Sequence, residues 1–148
     1  MFYNKIVITA FIAWFVSQIT KAIIYMIINK KISWERFFGA AGMPSSHSAV
    51  VTAMATAVGM QCGWDSPLFA VSVVLAAIVM HDAVGVRQET GKQAKVINSL
   101  LVLFDSIGRG ELTPVETLKE FVGHTGRQVF VGAVFGILTA LILQTVLP

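Results

Sequence analysis

Ser45, Ser46 and His47 follow Pro44 in one run, and His81, Asp82, Arg87 and His124 lie further along the chain. These residue types, together with Lys21, suit phosphate chemistry. A helix starting at this run leaves first-turn N–H groups unbonded at its positive dipole end, so the N–H groups of Ser45 and Ser46 can cradle phosphate oxygens. Arg87 can grip a dianionic phosphate as a fork and Lys21 as a point charge. One histidine can attack phosphorus while the other protonates the leaving oxygen, with Asp82 orienting a ring. Gln18, one turn from Lys21, joins the candidate substrate-binding set. Cationic and N–H groups can neutralise the developing charge without a metal. His47, His81, His124 and Asp82 have no metal-ligand spacing, so no metal or other cofactor is expected.

Such a site has to be assembled by membrane helices. The 148 residues are 55% hydrophobic and only 13% charged, with a mean hydropathy of +0.74. A soluble domain carries about a quarter charged residues. The composition therefore points to an integral membrane protein with one membrane-embedded domain over 1–148. The single cysteine, Cys62, excludes an internal disulfide, and a net charge of +3 is too small and dispersed to argue for nucleic acid.

Four segments are apolar enough to be read as spans: Lys5–Ile28, Pro44–Gln61, Pro67–Val84 and Gln128–Leu147. The expected fold is an all-α helical bundle with about four spans plus interfacial helices. The first segment is too long for a signal peptide, holds Gln18 and Lys21, and lacks a cleavage site, so it is read as a retained span. Ser66 can cap the third helix, with Pro67 at its first position. Between the last two spans, Ala94, Ile97, Leu101 and Phe104 recur at helical spacing, which predicts an amphipathic interfacial helix. A short embedded helix between Val96 and Phe104 is an alternative reading. Thr113-Pro114-Val115-Glu116 reads as a capping box, and Thr125 with Gln128 repeats it at the last span. Gly132 and Gly136 allow close helix approach, within the monomer in preference to a dimer seam, with a homo-oligomer left open.

Of the 11 Lys and Arg residues, only Lys5 falls on the side of the termini and Lys21 falls within a span. All the others lie in the connections 29–43 and 85–127. The positive-inside rule then puts both termini outside and the candidate site facing the cytoplasm. Trp34 and Trp64 fall at opposite membrane edges. His81 is read as a residue at the membrane edge, and Lys92, Lys95, Arg109 and Lys119 as solvated or headgroup-contacting charges.

The stretches GMPSSHSA at 42–49, IVMHDAVGVRQETGKQA at 78–94 and LKEFVGHTGRQVFVGAVFGI at 118–137 carry a resemblance. The chain resembles the divergent branch of the type-2 phosphatidic acid phosphatase superfamily, which is related to vanadium-dependent haloperoxidases. The resemblance implies that Lys21 binds phosphate, that Ser45 and His47 take the roles of the serine and the acid histidine, and that His124 is the nucleophile. Val129 and Gly132 match as well. The chain departs from the superfamily pattern in several places. No Arg-Pro pair follows Lys21, Ser46 replaces a glycine, no arginine lies shortly before His124, and Gln128 stands where an aspartate is expected.

The leading expectation is a metal-independent phosphatase acting on a phosphorylated lipid. The resemblance implies a substrate such as phosphatidic acid, phosphatidylglycerol phosphate or an isoprenoid phosphate. The alternative is a non-catalytic anion- or lipid-headgroup-binding module on the same scaffold. A small transporter ranks last, because only Lys21 is charged well inside a span.

Overall fold

The structure is a computed structural model, and it describes residues 4–30, 42–106, 118 and 123–146. Helix α1 (Lys5–Asn29) begins where the Asn4 carboxamide accepts from the N–H groups of Ile6 and Val7. It ends at Lys30, whose left-handed backbone returns an N–H to Met26 O. Helix α2 (Ser46–Cys62) is capped by Ser45, and α3 (Pro67–Val84) by Ser66, whose hydroxyl accepts from Phe69 N at 3.1 Å. Pro67 fills the first position of α3, where a missing N–H costs nothing. Gly85 interrupts the path, and α4 (Val86–Ser106) follows directly. Helix α5 (Gly126–Val146) opens on the expected box: Thr125 N–H donates to Gln128 Oε1 at 3.0 Å, and Gln128 N–H to Thr125 Oγ1 at 3.4 Å.

Among the described residues, three stretches are long and apolar enough to cross a membrane: Lys5–Asn29, Pro67–Phe104 and Gly126–Val146. Helix α2 has 17 residues. At 1.5 Å per residue it is about 26 Å long, short of the ~30 Å hydrocarbon core. It is the central helix, touching α1, α3 and α5, and its Ala, Ser, Thr and Gly side chains let those neighbours close around it. The core is built from small residues such as Ala13, Ala53 and Ala140, while Phe11, Leu68, Val71, Ile78, Phe130 and Ile142 face outward. That inversion suits lipid, where close backbone approach replaces hydrophobic collapse as the driving force. The protein is an all-α membrane helical bundle.

The tightest seam joins α2 to α5. A Cβ at Gly132 would strike the Ser45 carbonyl oxygen, and one at Gly136 the Ala49 carbonyl and the Thr52 hydroxyl. Thr52 Oγ1 also donates across the seam to Ala133 O at 3.0 Å. The Gly-x-x-x-Gly pattern therefore joins two helices of one chain. Helix α4 starts at Val86, well before the short embedded helix considered between Val96 and Phe104. Of its expected apolar stripe, Ala94 is buried, whereas Ile97 and Phe104 are exposed. Trp34, the Thr113-Pro114-Val115-Glu116 cap, Leu147 and the charges Lys31, Arg36, Arg109 and Lys119 lie outside the described residues.

Candidate functional site

Two backbone hydrogen bonds bring distant histidines to one end of the bundle. Ser45 N–H donates to Gln128 O at 3.2 Å, which ties the start of α2 to the start of α5. His124 N–H donates to Ala83 O at 3.0 Å, which ties the residue ahead of α5 to the last turn of α3. Gly123 makes the second approach possible. Its φ is +97°, and a Cβ there would lie 2.5 Å from Gln88 N and 2.7 Å from Arg87 C. The His47 and His124 rings then stand edge to face, with centroids 6.2 Å apart.

The His124 side chain is 2% exposed. Its Nδ1 lies 3.3 Å from Gln128 Oε1, the atom that also accepts the Thr125 N–H. A backbone N–H can only donate, so that amide atom is the oxygen and cannot itself donate. His124 Nδ1 therefore carries the hydrogen, and in the neutral ring Nε2 holds the lone pair. Nε2 is buried and has no hydrogen-bond partner among the described residues. Burial holds His124 below the ordinary imidazole value of 6.5. The Gln128 hydrogen bond pulls it back up, and the charges of Lys21, His47 and Arg87 push it further down.

Lys21 comes in from α1, 3% exposed, with its stem against Gly42. Gly42 has φ +127°, and a Cβ there would sit 2.9 Å from Lys21 Cγ and Cδ. One turn away on α1, Gln18 is 5% exposed, and its Oε1 has no partner among the described residues. The charges of Arg87, Lys21 and Asp82 all act on the His47 ring. Lys21, His47, Arg87 and His124 thus share one electrostatic neighbourhood, although they come from four separate segments.

Two expected roles are redistributed. Ser45 is fully buried and its N–H is used by Gln128 O, so it cannot serve as a phosphate cradle. Its hydroxyl accepts from Ser48 N–H at 3.4 Å and Ser48 O–H at 3.0 Å. The first intrahelical bond runs from Ala49 N–H to Ser45 O, which leaves the N–H groups of Ser46 and His47 as the open first-turn donors. Asp82, expected to orient a histidine, instead accepts from Arg87 Nε at 2.8 Å in a partly exposed pair. The group beside His124 Nδ1 is Gln128, which the sequence presents only as a cap residue and a missing aspartate. The Arg87 contact to Asp82 runs through Nε. His81 is exposed. Sequence gives Gly42 and Gly123 no role in positioning the site, because a glycine there looks like any loop glycine until its φ and neighbours are known.

The Divergent PAP2 family profile matches residues 2–139, and the chain belongs to that family. The uncharacterized membrane protein YuiD of Bacillus subtilis is 43% identical over 135 residues, covering 86% of this chain and 85% of YuiD. No solved structure matches the chain.

Proposed function

We propose that this divergent PAP2 protein hydrolyses the phosphate monoester of a membrane lipid, with His124 as nucleophile and His47 as general acid. The observation that carries this reading is the His124 ring: buried, held at Nδ1 by Gln128, without a partner at Nε2 among the described residues, and 6.2 Å from the His47 ring. A buried polar atom without a partner costs stability, so its persistence calls for an explanation in function. Lys21, Arg87 and the N–H groups of Ser46 and His47 hold the phosphate oxygens. Gln18 Oε1 accepts from a protonated phosphate oxygen.

The Nε2 lone pair of His124 attacks phosphorus. The P–O ester bond breaks, its electron pair stays on the leaving oxygen, and His47 supplies the proton. Water then attacks the phosphoryl group on His124 and gives its proton to His47. The N–P bond breaks and inorganic phosphate departs.

A lipid substrate is supported by what adjoins the polar cluster. A cavity of about 320 Å³ between α1 and α2 is lined only by Ile6, Val7, Ala10, Phe11, Trp14, Val50 and Met54. Val50 lies one helical turn beyond His47, so a hydrocarbon chain in this cavity carries its headgroup toward the histidines. The excess of Lys and Arg in the connections at the site end supports a cytoplasmic headgroup, with both termini outside. The Arg87–Asp82 pair and the neutral Gln128 favour a second reading, in which phosphate lipids bind without turnover.

Phosphate release by detergent-purified protein separates the two. The substrates are phosphatidic acid, phosphatidylglycerol phosphate and an isoprenoid phosphate, with glycerol phosphate as the soluble control and EDTA throughout. Release from a lipid is expected, with His47→Ala slowing it by about a hundredfold or more. Binding without release establishes the second reading, and neither binding nor release overturns both.

A further inference from the structure

Gln128 touches the segments that carry His47 and His124 through different atoms. Its backbone oxygen accepts the Ser45 N–H at the start of α2, four residues ahead of Gly132, the α5 glycine that packs on Ser45. Its side-chain oxygen accepts from Thr125 N–H at 3.0 Å and engages His124 Nδ1 at 3.3 Å. The first of these side-chain bonds determines which way the amide points. The second transmits that choice to the imidazole.

We propose that Gln128 is the positioning residue of this site, holding His124 as the Nδ1–H tautomer so that Nε2 faces the phosphoryl group. The inference rests on the proposed phosphatase reading and deepens it. An acceptor at this position has to fix a ring and a tautomer, and an amide oxygen does both without charge. A carboxylate would add a negative charge that stabilises the imidazolium. Lys21 on α1, His47 on α2, Asp82 on α3 and Arg87 on α4 are the titratable or charged groups around the two rings. Three of them can be cationic, and together with burial they keep the ring neutral. The neutral Gln128 offsets them only through its hydrogen bond and adds no charge that would favour the imidazolium. The site therefore keeps its nucleophile unprotonated on the acid side of 6.5, the ordinary imidazole value.

The chain has three histidines, so nitrogen NMR of isotopically labelled histidine in the detergent-solubilised protein is tractable, with His124→Ala giving the assignment. His124 is expected as the Nδ1–H tautomer in the wild type and as a tautomer mixture in Gln128→Ala. Turnover of the best lipid phosphate in Gln128→Ala should fall roughly 10- to 100-fold in kcat, the usual range for loss of an orienting partner, with KM little changed. Gln128→Glu, nearly the same shape, should restore most of kcat and move the acid limb of the pH profile upward. If Gln128→Ala leaves both tautomer and kcat unchanged, the proposal is overturned. An acid limb that stays put in Gln128→Glu also contradicts it. A wild type that releases no phosphate, but whose tautomer preference disappears in Gln128→Ala, confirms the orienting role and brings down the phosphatase reading alone.

Discussion

The two ends of the bundle treat the same kind of side chain in opposite ways. At the end holding the termini, Gln61 Nε2 donates to Gln144 Oε1 at 2.7 Å and Gln144 Nε2 donates to Thr9 Oγ1 at 2.8 Å. Three helices are stitched together there by polar groups that satisfy one another, as helix association in lipid favours. At the other end, Gln128 is equally engaged, but it holds His124 with Nε2 facing no partner among the described residues, and Gln18 Oε1 is in the same condition. The first end is a closed network whose product is the fold. The second leaves buried polar atoms without partners among the described residues, and open buried polar groups in a membrane protein mark function by default.

The contrast can be broken by substitution, and the largest effect is expected at His124. His124→Ala should reduce phosphate release by about a thousandfold or more, as removal of a nucleophile does, while the protein still elutes as a folded species. Gly123→Ala comes next. Its Cβ would press on the Gln88 and Arg87 backbone, so an unfolding midpoint in detergent should register a loss of about 1–3 kcal/mol. Release should fall with it, because His124 is displaced. Gln18→Leu should split the two readouts. Removing an open acceptor should raise stability by about 1 kcal/mol, while KM for the lipid phosphate rises. The smallest effect belongs to the closed end. Gln144→Ala should cost about 0.6 kcal/mol per lost interhelical bond and leave the rate of release within twofold.

The fold was largely legible in the residues. Apolar length placed α1, α2, α3 and α5 within two residues of where they lie, and Ser66-Pro67 and Thr125-Gln128 marked helix starts through chemistry that operates within a few residues. The gathering of His47 and His124 was also legible, because each falls at the opening of its helix, with Lys21 about two turns inside the same end of α1. What was not legible is who bonds to whom. Asp82 looked like a partner for histidine, but the turn at Gly85 brings Arg87 back onto it first. Ser45 looked like a phosphate cradle, but its N–H is consumed by α5, a contact that depends on Gly132 being bare. Gln128 looked like a missing acid, although it occupies the hydrogen-bonding place of one. Each of these depends on a long-range contact that local spacing does not encode.

The central claim is that His124 Nε2 forms a bond to phosphorus. Rapid alkaline quench of wild-type protein mixed with a lipid bearing radiolabelled phosphate, followed by peptide mapping kept at alkaline pH, tests it directly. The account predicts an alkali-stable, acid-labile label on the peptide containing His124, unchanged in Gln144→Ala and absent in His124→Ala. Turnover with no protein-bound label, or a label that persists in His124→Ala, would contradict it.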